Sequence, residues 1–179
     1  GLEYDAILRQ AVAVIDRTRA MVATAVCSAI GTAHWEIGKL LHDRKVESKH
    51  GCSVVNRLSY DLKQRYPQMG VSPRNLWDMK KFYERFCHSD IKVRQAVALL
   101  PWGHILQLLR KVGDDNAAML SYAKETRSKG WNCDLLLNAI NLKMYETQVL
   151  ARVEVELALE DMGKPIGVAD CQLIVPKEK

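Results

Sequence analysis

One short segment holds residues that could do chemistry together. Arg74, Trp77, Lys81 and Arg85 recur at i, i+3, i+7 and i+11. At about 100° per residue that spacing gathers three cations and one indole on a single helical face. Guanidinium and ammonium groups neutralise phosphates, and Arg also reads guanine in the major groove. Residues near the N-terminus of such a helix reach base edges first, which selects Arg74, Asn75 and Asp78. Trp77 either stacks on a base or sugar, or packs against the first long helix or a second subunit. The expected chemistry is DNA binding, with Arg57, Lys63 and Arg65 of the preceding segment flanking the site.

The charge distribution points the same way. Residues 44–94 hold twelve Lys/Arg against five Asp/Glu, and the rest of the chain holds fourteen against sixteen. The net charge of +5 therefore comes from one local basic stretch. Such a stretch is the electrostatic footprint of a nucleic-acid binder, and also what a solvated helical face looks like.

Other chemistries lack their residues. His50-Gly51-Cys52 and Cys87-His88 are the nearest His/Cys groupings, and neither has zinc-ligand spacing. Neither GxGxxG nor GxxxxGK[ST] occurs, and there is no G-x-S-x-G nucleophile elbow. Metal-dependent nucleases hold Mg²⁺ with carboxylates and orient water with a Lys, often as Asp followed by Glu-x-Lys on strands. The one Glu-x-Lys here, Glu47-Ser48-Lys49, falls in a charged stretch read as a loop. The five cysteines form no CxxC pair and read as reduced thiols of a cytoplasmic protein. The longest run without a formal charge, Ala20–Trp35, is 16 residues, shorter than the roughly 20 a membrane span needs. No basic-then-apolar leader opens the chain, and Gly1 in place of Met reads as a trimmed start.

The elements that position the basic stripe are helices. With 48% hydrophobic and 26% charged residues the 179-residue chain can bury a core. Tyr4 to Arg44 has apolar residues at three- and four-residue steps (Ile7, Ala11, Val14, Ile15, Met21, Val22, Ala25, Val26), with Gly31 placed to bend or divide the run. Lys45–Gly51 reads as a loop and Ser53 as the N-cap of a helix to Tyr66. Pro67 and Gly70 make a turn, and Ser72-Pro73 restarts a helix to about Phe86. Two amphipathic helices joined by a Gly-containing turn have the outline of a helix-turn-helix, with a turn longer than usual. On the second helix Leu76, Met79, Tyr83 and Phe86 should face inward. Further helices are expected over Ile91–Leu100, Pro101–Val112, from Asp114 or Asp115 to Gly130, from Cys133 to Gln148, and over Val149–Met162 with a strand left open. Ile166–Val175 is the one convincing strand. The fold class is mainly α: a multi-helix domain containing a helix-turn-helix-like pair, with a short C-terminal helix and β-strand.

A family resemblance rests on an ordered series of residues. Leu58-Ser59-Tyr60-Asp61-Leu62, Tyr66-Pro67, Gly70-Val71-Ser72, Arg74-Asn75-Leu76, Met79 and Phe82-Tyr83 resemble the N-terminal domain of YhcG-like proteins. These are bacterial members of the PD-(D/E)XK nuclease superfamily. Trp35-Glu36-Ile37-Gly38 is similar to the family's Trp-x-Ile-Gly element, and Leu100-Pro101-Trp102-Gly103-His104 with Leu108-Leu109 to its Leu-Pro-Trp-x-His segment. Gly130-Trp131, Leu135 and Ile140 resemble the helix closing that domain. Val155–Leu159 and Lys164–Ala169 resemble the extreme C-terminal end of the same family. The resemblance implies a helical N-terminal domain over 1–148 and a helix–strand tail over 149–179, with the nuclease core between them missing.

Without the family's Asp and Glu-x-Lys, water has no Mg²⁺ to activate it. The chain is therefore expected to be non-catalytic and to need no cofactor, Mg²⁺ entering only if a nuclease core is supplied elsewhere. The leading expectation is a DNA-binding module in the cytoplasm, without a membrane partner. The rival is a protein-interaction or oligomerisation module docking a nuclease or other partner, with Trp77 and the basic stripe in its interface. A tail strand without its home sheet invites pairing, either as a homodimer or back onto the helical domain.

Overall fold

The computed structural model describes residues 2–163. Among these the regular elements are helices: α1 (Leu2–Asp43), α2 (Ser48–Arg65), α3 (Pro73–Phe86), α4 (Ile91–Ala98), α5 (Trp102–Lys111), α6 (Asn116–Lys129), α7 (Cys133–Asn141) and α8 (Met144–Gly163). Local chemistry sets most of the ends. The Ser72 hydroxyl accepts from the Asn75 amide, with Pro73 at the first helical position. Asp90, Asp115 and Asn132 cap α4, α6 and α7 in the same way. Gly130 closes α6 in the left-handed conformation at φ 62°, which costs glycine little.

The core is built where the last third of α1 meets α3. Gly31, His34, Gly38 and Leu41 form its buried stripe, and Leu76, Met79, Phe82 and Phe86 face it from α3. A Cβ on Gly38 would come within 2.7 Å of the Met79 carbonyl carbon and closer still to its oxygen. Only a hydrogen fits, so the two backbones touch. Around this contact Trp35 sets its ring edge-on to Phe82 and Tyr83, at 5.6 and 4.9 Å between centroids. Phe82 in turn meets Trp102 of α5 at 5.5 Å.

Glu84 ties the same two helices electrostatically. Its Oε1 accepts from Lys80 at 2.8 Å and lies 3.0 Å from His42 Nδ1. Burial pushes the Glu84 carboxyl up, but the hydrogen bonds and charges of Lys80 and His42 outweigh it and hold the group below its ordinary value.

Helices α4–α7 extend the core. Val93, Val97, Ile105, Leu108, Met119, Tyr122 and Leu136 are all buried. The chain divides into two compact units, Gly1–Leu142 and Lys143–Lys179. In the second, α8 carries exposed Leu150, Val153, Val155, Leu157 and Leu159.

Several expectations need correction. α1 runs unbroken through Gly31, which lies against the Ala98 carbonyl, where a Cβ would sit 3.3 Å from the oxygen. Tertiary contact outweighs glycine's poor propensity. α1 then ends on Lys45 at φ 52°, with Val46 N donating to Leu41 O at 3.1 Å. That compact closure lets α2 start within the expected loop, at Ser48 rather than Ser53. Its N-cap is Glu47, whose side chain makes no capping bond. The helix expected over Cys133–Gln148 is interrupted at Leu142–Lys143, where Lys143 takes φ 51°. Residues 149–162 are helical, so the open strand reading there falls. The strand expected over Ile166–Val175 lies outside the described residues; no strand occurs among the described ones.

Two outcomes follow. Gly38→Ala should destabilise the fold by about 3 kcal/mol, through overpacking that a backbone carbonyl cannot relieve, read as a lowered denaturation midpoint with unchanged urea dependence. His34 is buried against Trp102 at 4.2 Å, and its Nδ1 has no partner. Burial holds its pKa below the ordinary 6.5, so the unfolded chain takes up a proton first. Its contribution is present above about pH 6.5 and declines as pH falls. His34→Phe should lose less stability than the parent between pH 7.5 and 5, measured by thermal denaturation.

Candidate nucleic-acid interface

α3 positions the predicted stripe, and its neighbours divide that stripe in two. Arg74 and Lys81 are exposed. With Trp77 and Asp78 of the same helix and Arg110 of α5 they line an open groove of about 560 Å³. Trp77 does not project freely. It is half-buried against the cluster of Leu41, Val55, Leu76 and Met79, and its ring reaches Gly51 of α2, where a Cβ would lie 3.5 Å away. Contact with α1 and α2 therefore covers part of the indole, and the ring also lines the groove.

Asp78 does not reach outward as expected. It is buried, and its Oδ2 accepts from Arg110 Nη2 at 2.8 Å. The pair adds no net charge to the groove, so its positive excess comes from Arg74 and Lys81, while Arg110 supplies partly exposed guanidinium donors held in place by Asp78. Removing the guanidinium would strand a buried carboxylate.

Asn75 and Arg85 are engaged by the fold. Asn75 Oδ1 accepts from Trp102 Nε1 at 2.7 Å, its amide Nδ2 donates to the Gly70 carbonyl, and its backbone N–H donates to Ser72. One side chain thus fastens the turn before α3 to the start of α5, and base contact would break that fastening. Arg85 Nε donates to the Gly113 carbonyl at 2.8 Å and Nη1 to Ser89 Oγ at 3.0 Å. Asp114 lies 3.6 Å away, and the guanidinium sits over the Phe86 ring. Arg85 clamps the end of α3 to the α5–α6 loop. Of the four cations on α3, Lys80 and Arg85 are held internally, and Arg74 and Lys81 are available.

Arg57, Lys63 and Arg65 are exposed on α2 and are not among the groove residues. Arg57 lies 3.9 Å from Asp61 on the same helix. Arg110 was not singled out from sequence. It stands 32 positions from the Asp78 it pairs with, and no local pattern announces that pairing.

The other candidate chemistries gain no residues. Glu47 occupies the N-cap position of α2 without a capping bond, Ser48 and Lys49 begin that helix, and no strand occurs among the described residues. Among the described residues no group of three His, Cys, Asp or Glu is gathered for a metal. Cys133 Sγ lies 3.7 Å from His104 Nδ1, and His104 Nε2 donates to the Trp131 carbonyl at 2.7 Å. This tie joins α5 to α7.

Comparison with known proteins places the fold in a family. The model of the DUF1016 N-terminal domain matches residues 10–147. The chain belongs to that family. The match takes in α1 from Gln10 through α7, including all five groove residues. A relative from Escherichia coli (strain K12), named "Putative nuclease YhcG", is 27% identical over 167 residues, covering 76% of this chain and 44% of the relative. The DUF1016-type chain thus spans less than half the length of that relative. No solved structure matches it. Among the described residues no helix is long and apolar enough to cross a membrane.

The division of the stripe is testable by thermal denaturation. Arg110→Met should cost about 2 kcal/mol by stranding Asp78. Arg74→Ala and Lys81→Ala, being exposed, should each stay within about 0.5 kcal/mol of the parent.

Proposed function

We propose that this DUF1016 N-terminal domain is a non-catalytic DNA-binding module whose contact surface is the α3 groove. The observation that carries the reading is the set of Arg74, Lys81 and Arg110 around one open groove, where Asp78, already paired, is the one carboxylate among the described lining residues. Cationic side chains gathered around one groove suit contact with the phosphates of a duplex backbone. The half-buried Trp77 offers apolar ring surface in the groove to a sugar. In this reading α2 and α3 work as a helix-turn-helix-like pair with α3 as the presenting helix, although α3 packs chiefly on α1. Contact is then to the backbone more than to bases, since Asn75 is held by Trp102 and Gly70. Arg57, Lys63 and Arg65 add long-range attraction from α2.

Binding of this kind needs no cofactor and would act in the cytoplasm. The name of the Escherichia coli relative refers to a nuclease. We assign any hydrolysis in such proteins to residues beyond the stretch shared with this chain, because water activation by Mg²⁺ needs gathered carboxylates.

Fluorescence anisotropy with a labelled duplex across a salt series tests the proposal. The parent should bind with affinity falling steeply with salt. Arg74→Ala/Lys81→Ala should bind more weakly and with a log–log salt slope shallower by about 2. Arg85→Ala should leave that slope unchanged. No binding by the parent, or an unchanged slope in the double variant, overturns the proposal; the first result would make the groove a protein-docking surface.

A further inference from the structure

The first two-thirds of α1 stands outside the core yet is strongly apolar. Tyr4, Ile7, Leu8, Val12, Val14, Ile15, Met21 and Val22 are all between 47% and 67% exposed. Because α1 is one unbroken helix, their angular positions are settled. Tyr4, Leu8, Ala11, Ile15, Thr18 and Val22 alternate at four- and three-residue steps, which is a heptad seam with Leu8, Ile15 and Val22 at a and Tyr4, Ala11 and Thr18 at d. Ile7, Val14 and Met21 flank it at g. No charged residue from Tyr4 to Val22 falls at a, d or g: Arg9, Asp16 and Arg17 lie on the far side, and Asp5 and Arg19 fall at e. A seam with this period calls for a second helix of the same pitch.

We propose that this face of α1 is an antiparallel coiled-coil interface with a second copy of the same chain. The register follows from matching a to d across a two-fold axis. Ile15 then meets Ala11 of the partner copy, Leu8 meets Thr18, and Val22 meets Tyr4. The first two layers set a large side chain against a small one, so the same surface complements itself, as an isologous interface requires. The flanks agree independently. In this register Asp5 faces Arg19 of the other copy, twice by symmetry, while Ile7 faces Met21, and Val12 and Val14 each meet their own counterparts. A parallel pair would stack Leu8 on Leu8 and Ala11 on Ala11 and would set Arg19 beside Val14, leaving Arg19 unmatched. Opposite charges at e that pair only in the antiparallel arrangement select the orientation. The buried end of α1, from Gly31 to Leu41, stays outside the paired stretch, so dimerisation leaves the α1–α3 core and the α3 groove intact.

Sedimentation equilibrium of the full chain without DNA tests the proposal. The parent should be a dimer. Ile15→Asp places an unpaired charge in the central layer and should raise the dimer dissociation constant by about 100-fold or more. Its circular dichroism should show that the helical domain remains folded, since Ile15 lies outside the core. Asp5→Arg and Arg19→Asp should each weaken the dimer, and the two together should restore it; in a parallel dimer or at another interface the double variant would rescue nothing. A monomeric parent, a dimer indifferent to Ile15→Asp, or the absence of rescue overturns the proposal. A monomer in which a thiol introduced at Ile15 is shielded from alkylation would identify an intramolecular cover, such as the chain's own C-terminal segment, and overturns it equally.

Discussion

The rest of the helical unit depends on the contact of two backbones at Gly38 and Met79. With no Cβ on Gly38, α1 and α3 approach until a carbonyl lies against a Cα. Close approach brings Trp35, Phe82, Tyr83 and Trp102 within ring-contact distance of one another in sequence. Those rings supply large buried area and edge-to-face geometry that a wider spacing would forfeit. It also fixes the rotation of α3. With Leu76, Met79, Phe82 and Phe86 turned to α1, the opposite side of α3 must carry Arg74 and Lys81 outward.

Around this contact the polar side chains act mainly as fasteners. Asn75 joins the turn before α3 to Trp102, Arg85 joins the end of α3 to the α5–α6 loop, and Glu84 joins α3 to His42 at the end of α1. The first two remove from the surface groups that a helical wheel would credit with binding. What remains is a smaller basic groove, completed from α5 by Arg110, whose partner Asp78 balances its charge and holds it in place. A buried carboxylate beside a partly exposed guanidinium orients the cation without cancelling its reach into solvent.

The core and the surface of α1 have different origins. Its last third is built from Gly31, His34, Gly38 and Leu41, three of them small or polar, because a neighbouring backbone and an indole ring must fit there. Its first two-thirds carries the larger aliphatic residues and meets solvent. A helix as long as α1 keeps a single axis across both regimes, so one element can serve the core of its own domain and present a face to another chain.

Much of this was legible in the sequence. Helical periodicity, the Ser72-Pro73 start, Gly130 and the Asp and Asn caps act through bonds a few residues long, and the ordered family series ran from Trp35 to Ile140. Local pattern also showed that basic charge concentrates in residues 44–94. It could not show which cations are spent. Arg85 and Lys81 look alike on a wheel; Gly113 and Asp114, which capture Arg85, come from a loop 28 and 29 positions away. Asp78 and Arg110 are likewise paired only by the packing of α3 against α5. Propensity, which weighs each residue alone, places Gly31 to bend or divide α1, whereas the neighbouring Ala98 carbonyl decides its place. Sequence by itself determined the helices, the family and the sign of the surface. Tertiary structure decided which side chains are free to bind, because a hydrogen bond between distant segments depends on how close their backbones are allowed to come.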